Sequence, residues 1–138
     1  MKNISILMLI FLLPKVGFAC SCAGVTVDDY LSQCENLFLA RLVKAEYSVS
    51  GEYEGKIKGR FGKPIEVYQG DPKKVKGLKE VYLGTSCDQF PSVGVKYLVC
   101  GVKDERYTGY SHCSYTVGHA EYYRRDILKQ LRGKTHNK

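Results

Sequence analysis

The sequence predicts an all-β fold: a five-stranded Greek-key barrel of the OB type, with a short helix ahead of the strands and a longer one behind them. Three observations lead there. Five stretches of extended or alternating character are separated by clusters of Gly, Pro, Asp and Ser. Helical signals occur only at the two ends. Six cysteines, an even count, follow an export-type leader, so three disulfides are expected to reinforce a small core. Five strands with flanking helices suit a small barrel better than a sandwich.

The leader comes first. Lys2 gives a short positive start, residues 4–13 form an apolar run interrupted only by Ser5, and Gly17 and Ala19 put small residues at −3 and −1 of a cleavage site between Ala19 and Cys20. The run is shorter than the roughly 20 apolar residues of a membrane span, and no later segment qualifies. Residues 1–19 are therefore expected to be a cleaved signal peptide, and the mature protein to be soluble and secreted or periplasmic. Removing residues 1–19 from 138 leaves 119, enough for one domain, 20–138, with its own core.

Thr26 is placed to cap a short helix, with Asp28 and Asp29 in its first turn and Tyr30, Leu31 and Cys34 following. Residues 37–47 alternate as a strand, with Leu37, Leu39, Arg41, Val43 and Ala45 against Phe38, Ala40, Leu42 and Lys44. Residues 48–62, rich in Gly, Ser, Glu and Lys, predict a long exposed hairpin connection, with Tyr47 and Tyr53 as anchors for outlying contacts. A second strand over residues 63–69 ends at the turn Gly70-Asp71-Pro72, and a basic loop covers residues 73–77. Further strands are predicted over residues 80–83, 95–102 and 107–116. Residues 118–132 predict a helix with Ala120, Tyr123, Ile127, Leu128 and Leu131 on one face and Gly133 as its stop. There is no internal repeat, low-complexity tract or interdomain linker.

Cys20, Cys22, Cys34, Cys87, Cys100 and Cys113 all survive cleavage, and three bonds among them allow 15 pairings. His112, His119 and His136 lack the C-x-x-C partners of a zinc site, and His112 and His119 read as surface or helix-start residues. The formal charge is +7, or +5 once Lys2 and Lys15 are removed. Much of it lies in Arg124, Arg125, Lys129, Arg132, Lys134 and Lys138, which reads first as the solvated face of the last helix. No basic-aromatic motif points to nucleic acid. The sequence holds no nucleophile motif, no H-E-x-x-H and no phosphate-binding glycine loop, so neither an enzyme nor a cofactor is expected.

Several segments together resemble the N-terminal, netrin-like domain of the tissue inhibitors of metalloproteinases, in the form of their short bacterial relatives. Cys20-Ser21-Cys22 is similar to that family's C-[ST]-C start, and Cys34-Glu35-Asn36-Leu37-Phe38-Leu39-Ala40-Arg41 to the strand after its third cysteine. Glu66-Val67-Tyr68-Gln69-Gly70 resembles the end of the second strand, and Thr85-Ser86-Cys87-Asp88-Gln89-Phe90 the segment around the fourth cysteine. Tyr97-Leu98-Val99 and Cys113 resemble the next strand and the cysteine before the C-terminal helix. The resemblance covers nearly all of residues 20–132, and the second domain of the animal proteins is absent. It implies an OB-type barrel, a Cys20–Cys87 bond and a Cys22–Cys113 bond. The family's third cysteine pairs with one beyond the last helix, which this chain lacks; the resemblance then leaves Cys34 with Cys100. Gly24 stands where the animal proteins usually carry proline.

The resemblance also implies a mechanism. A catalytic zinc has three protein ligands and an open position normally held by water. The free α-amine and carbonyl oxygen of Cys20 would displace that water from a target protease's zinc and close a five-membered chelate ring. The amine must be neutral to donate; its ordinary pKa of about 7.7–8.0 is lowered further beside the metal. Ser21 would enter the adjacent specificity pocket, with Cys22 holding the segment down, and Thr85 and Ser86 would form a second edge of contact. The implied partner is a zinc metalloprotease, met by a monomer. Competing expectations are a non-inhibitory netrin-like module that binds protein or polyanion, and a lipoprotein acylated at Cys20. Gly17-Phe18-Ala19 is a poor lipobox, and acylation would consume both the amine and the thiol.

Overall fold

The computed structural model describes residues 24–49, 51–52, 54–82, 89–111 and 113–135. The elements run α1 (Val27–Gln33), β1 (Asn36–Val49), β2 (Gly55–Gln69), a 3-10 turn (Pro72–Lys74), β3 (Gly77–Tyr82), β4 (Lys96–Gly101), β5 (Tyr107–Thr108), β6 (Val117–Gly118), α2 (Ala120–Tyr123) and α3 (Arg125–Thr135). The fold is mostly β, a curled six-strand half-barrel sheet with a few helices. Strand order is β5-β3-β2-β1-β4-β6, antiparallel except where β3 meets β5.

The β1–β2 hairpin is the longest feature and corrects the expected loop. Residues 48–62 are mostly strand, with the ladder running from Val49↔Gly55 to Leu37↔Gln69. The glycines that read as breakers sit where a side chain would collide. A Cβ on Gly59 would come within 2.7 Å of Leu78 Cγ, and one on Gly55 within 2.5 Å of the Tyr47 ring. Lys56, Lys58 and Arg60 alternate with them on the opposite, exposed face.

β1 divides the core in two. Leu37 and Leu39 pack with Leu98 and Cys100 against Val27 and Tyr30 of α1, Ala120 of α2 and Leu128 and Leu131 of α3. Phe38, Ala40 and Leu42 point the other way, into the barrel interior with Ile57, Leu78, Tyr97, Val99 and Tyr110. A strand buried on both faces reads as a continuous apolar run, as residues 37–40 do. Register shifts between Leu39 and Lys44 then turn the strand so that its outer end is half exposed.

The predicted fifth strand over residues 107–116 is not one strand. Of its described residues only Tyr107 and Thr108 pair, in parallel with Gly77 and Leu78, while Val117 and Gly118 pair with Leu98 and Tyr97. Between them threonine hydroxyls take over from the ladder: Thr108 Oγ1 donates to the Cys100 carbonyl (2.7 Å), and the Cys100 N–H donates to Thr116 Oγ1 (3.0 Å). The two hydroxyls also bond each other, and both side chains are buried. β5, at one edge of the sheet, thus pairs with β3 and also reaches β4, the strand next to the other edge.

At the ends, α1 has the expected cap: Thr26 Oγ1 accepts from Asp29 N while Asp29 Oδ2 accepts from Thr26 N, a reciprocal capping box. The C-terminal helix is broken at Arg124 into α2 and α3, and it continues past Gly133 to Thr135. Ala120, Leu128 and Leu131 are buried as predicted, but Tyr123 is exposed. Several tail cations are anchored to the body. Arg132 makes a two-pronged bond to Glu66 (2.8 and 2.7 Å), Lys134 reaches Asp28 (2.9 Å), and Arg124 Nε donates to Tyr30 (3.2 Å).

Cys34 and Cys100 are joined, 66 residues apart in sequence. Cys113 is also disulfide-bonded. Cys20, Cys22 and Cys87 lie outside the described residues, so the expected Cys20–Cys87 and Cys22–Cys113 bonds lie outside them too.

Candidate functional site

Cys20, Ser21, Cys22, Thr85 and Ser86, the contact residues implied by the sequence, lie outside the described residues, as do residues 1–19, Cys87 and Tyr53. The flanks of that contact edge are described, and they converge. Gly24 and Val25, just after Cys22, Gln89 and Phe90, just after the 85–88 segment, and Ser111 and Ser114, on either side of Cys113, all line one cleft of about 610 Å3. Three separate stretches of chain, each within three residues in sequence of Cys22, Cys87 or Cys113, therefore meet at one place.

Each flank is held firmly. Val25 packs against the helical core cluster at the start of capped α1. Ser111 and Ser114 hydrogen-bond each other across Cys113: Ser111 N–H donates to Ser114 Oγ (3.1 Å) and Ser114 N–H to the Ser111 carbonyl (3.1 Å). Ser114 Oγ also lies 2.7 Å from the Thr116 carbonyl, which ties this turn to the threonine seam. Phe90 meets Tyr47 edge to face at 5.9 Å, so the hairpin reaches across to Phe90. Tyr47 was expected as an anchor; its contact is with the chain's own Phe90.

The cleft floor is aromatic. Tyr97 and Tyr110 lie 5.6 Å apart, the Ser92 N–H donates to the Tyr97 hydroxyl (2.8 Å), and the Tyr110 N–H donates to Glu80 Oε2 (2.9 Å). Burial pushes both phenols above their ordinary range, so they stay neutral at any working pH. His119 stands at the head of α2 in a left-handed conformation (φ 50°), stacked edge-on to Tyr123. Among the described residues no three His, Cys, Asp or Glu side chains gather as a metal site. The two phenols thus give the cleft a neutral floor, and His119, Arg124 and the hydroxyl-bearing Ser92, Ser111 and Ser114 line it as well.

Sequence reasoning missed this floor. Tyr97 and Tyr110 carry no motif, and nothing in the sequence marks the Glu80 carboxylate as the acceptor of the Tyr110 N–H.

No protein-family model matches the chain, and no curated protein matches it. The disulfide is compatible with an extracellular or periplasmic location, and among the described residues no helix is long and apolar enough to cross a membrane.

Proposed function

We propose that the protein is a secreted or periplasmic inhibitor of zinc metalloendopeptidases, processed after Ala19, that chelates its target's catalytic zinc through the α-amine and carbonyl oxygen of Cys20. The observation that carries this reading is the convergence of the described flanks of Cys22, Cys87 and Cys113 on one cleft beside an ordered sheet. A terminus stapled there loses little conformational freedom on binding, which is how pre-organised inhibitors reach high affinity. Cys20 supplies the metal-directed atoms, Ser21 the side chain for the adjacent pocket, and Thr85 and Ser86 the second edge. Cys20–Cys87 and Cys22–Cys113 supply the stapling, and Cys113, already bonded, leaves Cys20–Cys87 or its alternatives to be mapped. The zinc belongs to the target; the inhibitor acts as a monomer without a cofactor or catalytic activity of its own. The strand order, with β5 parallel to β3 and bridged to β4 through Thr108, supports a partly open barrel of the OB type.

The test begins with the intact mass and disulfide map of the exported protein. The oxidised chain starting at Cys20 is then titrated against a panel of zinc metalloendopeptidases. Stoichiometric inhibition by a chain of unmodified mass supports the reading. A mass raised by acyl chains replaces it with the lipoprotein reading. A correctly paired chain that inhibits nothing across the panel replaces it with the non-inhibitory binding module.

A further inference from the structure

The outer face of the β1–β2 hairpin is covered at one end and bare at the other. Near Leu37 and Leu39 it is packed by α1 and α3. Beyond the register shifts it carries Lys44 and Glu46 on β1, Lys56, Lys58 and Arg60 on β2, and Lys79 on β3, all exposed. The ladder sets them side by side. Lys58 lies between Glu46 and Lys79, Arg60 faces Lys44, and Lys56 lies between Ser48 and Val81. The intervening residues Ile57 and Leu78 point into the core, so this face is one surface and not a scatter of loops.

The charge there is unbalanced. Lys44 pairs with Glu46. Lys56, Lys58, Arg60 and Lys79 have no ion-pair partner among the described residues. Glu46 is held below the usual carboxylate range by Lys44 first, then by Lys58 and Arg60, as expected for one acid set among several cations. Five cations against one carboxylate repel each other on a face that folding gains nothing by making so uniform. Alternate residues along β2 are about 6.7 Å apart and neighbouring strands about 4.8 Å, giving a cationic strip roughly 13 Å by 10 Å.

We propose that this strip binds a linear anionic polysaccharide, laid along β2 with its sulfate or carboxylate groups on Lys56, Lys58, Arg60 and Lys79. Charge complementarity names the class, and shape narrows it. The strip lies on the convex side of a curled sheet, which a thin flexible chain can follow and a rigid duplex meets only along a line. No aromatic ring interrupts the described cations to stack a nucleic-acid base; Tyr47 on the same hairpin packs on Phe90 instead. The inference stands apart from the inhibitory edge, whose described flanks line a different region.

The test uses the full oxidised protein and measures affinity for size-defined heparin fragments, alginate fragments and a DNA duplex of matched length, at two salt concentrations. The triple variant Lys56→Gln/Lys58→Gln/Arg60→Gln should bind the heparin or alginate fragments at least about tenfold more weakly, with a shallower salt dependence, while its melting curve is unchanged. The Lys56→Arg/Lys58→Arg variant should bind like the parent, and Arg125→Gln/Lys129→Gln on α3 should have little effect. Preference between heparin and alginate tells sulfate from carboxylate recognition. Undiminished binding by the triple variant, loss of binding in the α3 variant alone, absence of binding to both polysaccharides, or tighter binding to duplex DNA than to either would each overturn the proposal.

Discussion

The threonine seam between β5 and β4 gives the sharpest stability prediction. Both main-chain polar groups of buried Cys100 depend on side chains: its carbonyl accepts from Thr108 Oγ1 at 2.7 Å, and its N–H donates to Thr116 Oγ1 at 3.0 Å. Thr108→Val or Thr116→Val keeps the shape but strands one of these groups without a partner. Leaving a buried main-chain group unsatisfied costs about 1–3 kcal/mol. About 2 kcal/mol is expected for each single variant, or about 8 °C in melting temperature for a domain of this size. Because the two hydroxyls also bond each other, each single variant already loses that contact. The double variant should therefore be less destabilised than the sum of the singles, by about 1 kcal/mol. Urea titration of the oxidised proteins, with the slope of the transition checked for constancy, measures all four corners of the cycle. Single variants within about 0.5 kcal/mol of the parent, or strict additivity, would refute the claim that these hydroxyls replace a strand ladder.

Gly77→Ala should destabilise by about 3 kcal/mol or more, because its Cβ would lie 1.9 Å from the Gly59 carbonyl oxygen, a main-chain atom that cannot step aside; Gly133→Ala, in open space on α3, should instead stabilise by roughly 0.5–1 kcal/mol. Both are read from melting curves. Glu66→Gln should cost about 1 kcal/mol at neutral pH, a modest figure because the Arg132 pair is partly exposed. The Arg132 hydrogen bond holds the Glu66 carboxyl below its ordinary range, so its contribution is complete above the unfolded pKa and is lost as pH falls through the folded one. The gap between parent and variant should close in acid, and a gap that persists there would show the loss is not ionic. Replacing Cys34 and Cys100 together by alanine removes a bond spanning 66 residues, and the chain-entropy model gives a loss of about 4 kcal/mol in denaturant titrations.

Much of the frame was legible because it depends on local chemistry. The Thr26 and Asp29 side chains announce a capping box three residues apart, and the apolar run at residues 37–40 announces a strand buried on both faces. The extent of β2 was not legible. Gly55 and Gly59 signal a loop until the Tyr47 ring and Leu78 side chain that occupy their missing Cβ positions are known. The last strand misled for a related reason: Thr108 and Thr116 look like strand residues, but their hydroxyls replace the ladder and let the chain between them leave the sheet. Gly133 reads as a helix stop, yet α3 runs through it because nothing crowds that position and Thr135 bonds back to Leu131. The proposed contact edge rests on the resemblance carried by Cys20-Ser21-Cys22 and Thr85-Ser86, which lie outside the described residues. The fold contributes what one-dimensional reading lacked, namely that Phe90, Val25 and Ser114 border a common cleft.

The central claim is that the free α-amine of Cys20 carries inhibition, and a single added residue tests it. Two oxidised proteins with the same disulfide map are compared against a zinc metalloendopeptidase that the native chain inhibits: one begins at Cys20, the other carries one alanine before it. The alanine moves the amine off the zinc while leaving the barrel intact. Loss of inhibition by a factor of about a hundred or more, with unchanged melting, is the predicted result. Equal inhibition by the two proteins would contradict the account and move the inhibitory surface elsewhere on the sheet.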